Sequence, residues 1–458
     1  GATGTATATG AVGGGGGGPL SYAVLLHPEP FAESAPLEFA VTADSQVVVL
    51  AAVSGTRDGL FAVGVDGTNH RLIDEPADGD VGGFLVSPYG PAVIYTGGRG
   101  VVAFDRTTGV HTELDLRGGA SFGSCTFVPD QLHVVCREPN QYGNYVYYLA
   151  PLDGSDSTPL AGLPLPSPDG QHLAMKVSDR LRLREITSGT EVQVGDEVGF
   201  YRWKADSSGI LFTQTLYAAA PGLYQVAADG TGSTLLTSDI PTQFQVSPDG
   251  AWVAYTTSIV NSSAYDLYSL STSGSGTPIP YDVSAFEPNH STSGLRLDEI
   301  TPDSQYLVFG AGSIGEQYHK LLYAGALDGS GSRSTLVNIS GWPTLRSAHF
   351  VGITADSAWV VYGVSRDGTG NGLDISAVSP TGAARRSLLV PGEPRVQDTS
   401  DENVRVGPDS ALVRAGDTHG LIRTDLATDG DPEWLVGPVR VDRFELTPTA
   451  DHVVYIQD

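Results

Sequence analysis

The sequence predicts an all-β chain of repeated four-stranded antiparallel blades, on three observations. Strand-like stretches such as Val47–Leu50 (VVVL) and Trp252–Tyr255 (WVAY) are short, β-branched or aromatic, and bounded by Gly, Pro, Asp or Ser. A turn motif, Ser/Thr then Pro/Ala then Asp then Gly/Ser, recurs along the chain, and a second, glycine-bearing turn follows each full copy. The 58 glycines and 29 prolines supply such turns, and long helices are not expected.

The first motif reads TADS at 42–45, SPYG at 87–90, VPDQ at 128–131, SPDG at 167–170 and KADS at 204–207. It continues as SPDG at 247–250, TPDS at 301–304, TADS at 354–357, GPDS at 407–410 and a degenerate TPTAD at 447–451. Third positions lie between 37 apart (Asp169, Asp206) and 54 apart (Asp249, Asp303), the length of a propeller blade. Pro presets φ, Asp bonds its own backbone, and Gly or Ser relieves the turn. Each copy sits between two apolar strands, as Phe244–Val246 and Trp252–Tyr255 flank SPDG. The second turns, from Gly67 to Gly430, read as hairpins between third and fourth strands. Each unit is then an inner, second, third and outer strand, and the fold class is a β-propeller.

Nine units carry both turns; the tenth has only the hairpin from Phe444 to Ile456. Tyr22–Leu26 (YAVLL) is the strand-like segment that would complete it, in its own chain or in a neighbour. Tyr22, Val24 and Leu26 would face one way, Ala23 and Leu25 the other. The expected organisation is a Gly/Ala/Thr-rich tail or tether over 1–19, this strand segment over 20–38, and the propeller over 39–458. About nine to ten blade equivalents result. A single ring is expected in preference to two tandem rings, although the longest interruption, Glu287–Ser293, precedes units of longer repeat.

The 52 acidic residues outnumber the 25 Lys and Arg, for a net charge of −27. Such a molecule repels phosphate backbones, so nucleic acid is not an expected partner. No stretch of eighteen apolar residues occurs, and no membrane span is expected, although the tail could hold the protein off a lipid anchor. If Asp130 and Gln131 tip a two-residue hairpin, Cys125 falls opposite Cys136, within reach of a disulfide. Such a bridge implies an oxidising compartment, and a chain opening on Gly1 fits processing for export. The expected location is extracytoplasmic: secreted, cell-surface or periplasmic.

These motifs resemble the TolB-like propellers with WD40-like PD40 repeats, in which SPDG or TPDS joins the first two strands of a blade. The resemblance covers roughly 39–458; Ser167–Gly170 and Ser247–Gly250 match outright, while Ser87–Gly90 and Lys204–Ser207 depart from the pattern. It implies the fold and leaves function open, because the family spans periplasmic scaffolds, peptidase-associated domains and lyases.

No catalytic residue stands out. Neither G-x-x-x-x-G-K-[ST] nor H-E-x-x-H occurs, and Ala311–Gly315 (AGSIG) lacks the first glycine of a nucleophile elbow. His133, His172 and His452 each follow the first turn of a blade and would converge only if blades bring them to one rim. The metal candidates are acidic loops, Asp74, Asp78 and Asp80 with Glu75, and Asp429 and Asp431 with Glu433. Calcium is the ion such loops would take, though neither has EF-hand spacing and solvated loop charge is the plainer reading. No cofactor is expected. Trp252 and Trp359 recur at one blade position and read as packing residues, whereas Trp203, Trp342 and Trp434 lie off that register.

The expected function is a non-enzymatic propeller that binds protein; in its specific version the protein binds itself as a homo-oligomer or filament, joined through the N-terminal strand. The alternative is a carbohydrate-binding protein or a metal-dependent lyase or hydrolase acting at the central mouth.

Overall fold

The computed structural model describes residues 5–10, 22–25, 38–54, 57–74, 83–97, 100–116, 125–139, 144–258, 265–274, 276–281, 295–311, 321–331, 333–339, 347–365, 373–389, 396, 403–414, 420–428, 431–435, 441–448 and 452–457. They form ten four-stranded antiparallel sheets and no helix, the blades of a β-propeller. Sheets are numbered here along the chain from Glu38–Val41, the first strand of the first sheet. Strand order follows sequence order within each of the first nine, as the repeat pattern requires.

The tenth sheet is built from both ends of the chain. Val441–Leu446 and His452–Gln457 pair, and Thr5–Gly10 then Tyr22–Leu25 complete the order. The register sets Thr7 opposite both Tyr455 and Leu25. Thr5–Gly10 lies inside the 1–19 stretch expected as a tether, and there the structure differs from that reading. Its alternation of Thr with Ala has the period of a strand, with a β-branched residue at every second position. Tyr22–Leu25 is the outer strand, and Leu26 lies outside the described residues.

The chain divides into two compact units. One comprises 1–177, 186–188 and 439–458; the other comprises 178–185 and 189–438. In each, apolar clusters bridge neighbouring sheets. In the first unit Val49 and Leu60 of the first sheet pack with Phe84, Val93 and Phe104 of the second. In the other, Ala254 and Leu267 of the sixth pack with Leu297, Phe309 and Tyr323 of the seventh. Trp252 packs partly buried against that second cluster. Trp359 packs against the cluster of the eighth and ninth sheets, and its Nε1–H donates to the Leu426 carbonyl at 2.8 Å.

The first turns close on hydrogen bonds of their own residues. In Ser167–Gly170, Ser167 Oγ donates to Asp169 Oδ1 at 2.6 Å and accepts the His172 N–H at 2.9 Å. Thr301 and Thr354 repeat both bonds. The fourth residue takes positive φ: 70° at Gly170 and Gly250, 60° at Ser304, 62° at Ser357. Second turns use Asp as well, and Asp328 accepts the N–H and hydroxyl of Ser330 at 2.8 and 2.5 Å. Much of the acidity thus serves turns.

Cys125 pairs with Cys136 across the hairpin and the two form a disulfide, with Cα atoms 4.0 Å apart. No helix among the described residues is long and apolar enough to cross a membrane.

Candidate functional site

First strands of neighbouring sheets present charge where a core strand would not. In the second unit, residues 243–245, 296–299 and 349 lie on the first strands of the sixth, seventh and eighth sheets. On Leu295–Ile300 the pairing shifts between Leu297 and Glu299. Leu297 faces Phe309 and Glu299 faces Val308, so Asp298 is the extra residue of a bulge. The bulge keeps Leu297 in the apolar core and leaves Asp298 out of the ladder.

Asp298 is nonetheless buried, its side chain 2% exposed. Arg296, two residues earlier on the same strand, donates from Nε to Asp298 Oδ1 at 2.5 Å. The other oxygen, Oδ2, has no hydrogen-bond partner. From the preceding sheet, Gln245 Nε2 donates to the Asp298 carbonyl at 2.8 Å. Burial pushes the Asp298 carboxyl up to about 6 despite the pull of Arg296. Burial, then the charge of Asp298, also raises Glu299. His349 is shifted down by burial and then by the Arg296 charge. The seventh and eighth sheets therefore bring together a half-exposed guanidinium, a carboxyl that exchanges its proton near pH 6, a second raised carboxyl and an imidazole shifted down. This arrangement can hold a polar ligand and can give or take a proton.

No sequence motif marks this row. Its signal is the L-R-L-D-E-I pattern, a charged run in the strand before TPDS where Phe244–Val246 precedes SPDG. Whether Asp298 enters the core depends on the bulge, which composition does not show.

The residues singled out from sequence stand elsewhere. Asp74 ends its strand and accepts the Tyr95 hydroxyl at 2.8 Å from the second sheet; the same hydroxyl lies 2.9 Å from His111 Nδ1. Tyr255 and Asp239 repeat the pairing between the fifth and sixth sheets at 2.7 Å. Asp74 thus joins two blades. Glu75, Asp78, Asp80 and Asp429 lie outside the described residues; Asp431 and Glu433 are exposed. His133 Nδ1 lies 2.5 Å from Asp130 Oδ2 in its own turn, His172 donates its backbone N–H to Ser167, and the His452 backbone pairs with Gly10. Among the described residues, no three of His, Cys, Asp and Glu gather as a metal-holding group. Trp203 is buried, Trp434 packs against the cluster of the eighth and ninth sheets, and Trp342 lies outside the described residues.

No family model matches the chain, and no curated protein matches it. Among solved structures it is similar to one described as the eukaryotic initiation factor. That likeness has 12% identity over 85% of this chain and 95% of that one, with a TM-score of 0.54. It is also similar to TolB from Acinetobacter baumannii, at 16% identity over 78% and 84%, TM-score 0.31. An oligogalacturonate lyase from Vibrio parahaemolyticus shows 14% identity over 71% and 84%, TM-score 0.33. Identities this low speak to fold alone.

Proposed function

We propose that this chain is a non-enzymatic, extracytoplasmic propeller that binds protein, as a scaffold or as the subunit of an assembly. The observation that carries the reading is the tenth sheet, whose outer half comes from residues 5–25 and whose inner half comes from 441–457. The strands Thr5–Gly10 and Tyr22–Leu25 can complete the sheet of their own chain or that of another copy. Two further features support it. The Cys125–Cys136 disulfide is the kind that persists outside the cytosol. First turns keep nearly one length, whereas links between second and third strands range from Ser178–Asp179 alone to the nine residues 312–320. Link length is therefore nearly constant at one end of the blades and varies at the other, as it does on binding surfaces.

Light scattering with negative-stain imaging tests the assembly version. Multi-subunit particles that fall to single-chain mass on deletion of residues 1–30 are the expected result. Particle mass unchanged by that deletion would end it.

A second reading rests on Asp298. A carboxyl titrating near 6 beside Glu299 suits general acid–base work on a carbohydrate or similar polar substrate. Under this reading Asp298→Asn abolishes turnover of a polysaccharide; if no such polymer is cleaved by the intact protein, the reading fails.

A further inference from the structure

The fifth sheet turns large apolar side chains into solvent at one end. On its first strand, Val198–Trp203, pairing with the second strand shifts between Val198 and Tyr201. The extra residue makes a bulge, in which the Phe200 N–H donates to Thr213 Oγ1 at 2.9 Å. Phe200 stands 55% exposed. The link after the second strand, Gly209–Gln214, opens on a β-turn, where the Ala218 N–H donates to the Thr215 carbonyl at 3.0 Å. Leu216 and Tyr217 are the two central residues of that turn, 76% and 87% exposed. Bulge and turn are neighbours. The Thr215 N–H donates to the Glu197 carbonyl at 2.9 Å, and a Cβ on Gly199 would fall 3.6 Å from Thr215 Cγ2.

These hydrogen bonds fix the protrusion in advance, so binding through it costs little ordering. Its chemistry is neutral: from Ser207 to Ala228 no Asp, Glu, Lys or Arg occurs, in a chain that is 17% charged. The three side chains offer roughly 400 Å², about half of what one partner contributes to a stable protein interface. That area is too small to hold a second copy, and the tip of a turn is convex, with no groove for a peptide. A fluid apolar phase requires neither the area nor the groove. We infer that Phe200, Leu216 and Tyr217 enter the interface of a zwitterionic lipid surface, with the Tyr217 hydroxyl at headgroup level. Anionic lipid is disfavoured, because Glu197 is exposed at the foot of the turn and the whole chain carries −27. Neither reading of function above uses these residues, so the inference stands apart from both.

Phosphatidylcholine vesicles test it on the full chain. Half of the protein should sediment with lipid on the order of 1–10 mM, a weaker hold than one myristoyl chain gives. Leu216→Ser and Phe200→Ser should each weaken binding roughly threefold to tenfold, and together they should abolish it. An unchanged melting profile keeps that loss separate from misfolding. In Tyr217→Trp, phosphatidylcholine brominated on its acyl chains should quench emission more than it does in wild type, because the introduced indole enters the lipid. Absence of sedimentation with phosphatidylcholine overturns the inference, as does binding that survives Leu216→Ser and Phe200→Ser together. So does tighter binding to phosphatidylglycerol vesicles, or a dimer, seen by light scattering, that the same two changes dissolve.

Discussion

The backbone N–H of Asp249 donates to Ser304 Oγ, 3.0 Å away in the next sheet. Asp303 makes the same bond to Ser357 at 2.9 Å, so consecutive first turns are latched to one another. At Gly170 the approach is closer: a Cβ there would fall 2.2 Å from the Asp130 nitrogen, whereas one on Gly250 would meet only the Lys204 side chain, at 3.5 Å.

Ser304→Ala should therefore cost about 1 kcal/mol, since it strands the Asp249 N–H and keeps a Cβ at positive φ. Ser304→Gly should cost less, because it loses the same bond but relaxes the backbone. Gly170→Ser should cost roughly 2 kcal/mol or more through backbone overlap. Urea midpoints order the variants; Ser304→Ala as stable as wild type would show that the latch contributes nothing.

The turn aspartates predict an acid limb. The Ser330 hydroxyl and N–H hold Asp328 below its ordinary range, and the Thr107 hydroxyl does the same for Asp105. At Asp130 burial opposes the charge, but His133 and the Leu132 N–H outweigh it. A folded pKa below the unfolded value stabilises above the unfolded value, about 3.9, and is lost as pH falls through the folded one. Stability should decline below about pH 4. In Asp105→Asn and Asp328→Asn, which keep the turn geometry, urea midpoints should fall less between pH 5 and 3 than in wild type.

The turns were legible because their hydrogen bonds close within six residues: Ser167, Asp169 and His172 are all in one short string. The Cys125–Cys136 pairing was legible for the same reason, since a short hairpin fixes register. Contacts between blades were not. Nothing in the sequence joins Asp74 to Tyr95 or Asp239 to Tyr255, and Asp74 reads as free loop charge until the next sheet is placed beside it. Thr5–Gly10 was masked by composition, because glycine-rich neighbours outweighed its period-two pattern.

The disulfide closes a separation of 11 residues, and Cys136 is fully buried. A loop of that length restricts the unfolded chain by about 2–3 kcal/mol. Replacing both cysteines with alanine should lower the thermal midpoint accordingly. A thermal midpoint that stays at the wild-type value in the double variant would show that the bridge contributes nothing.

Asp298 predicts a pH response of the opposite sign to the turn aspartates. Its carboxyl is raised from 3.8 to about 6, so the folded state binds the proton more tightly than the unfolded chain does. The contribution is fully present below the unfolded value and is lost as pH rises through about 6. Two units correspond to about 3 kcal/mol at most, for a side chain only 2% exposed. Asp298→Asn keeps an acceptor for Arg296 and removes the buried charge, while Arg296, half exposed, remains solvated. The variant should therefore be more stable than wild type at pH 7 and equal to it near pH 4. The difference should grow from about pH 4 to about pH 6 and level off above that. Urea unfolding at pH 4, 5, 6 and 7 reads it directly, and curves that stay parallel throughout would mean that the Asp298 carboxylate is not held against its charge.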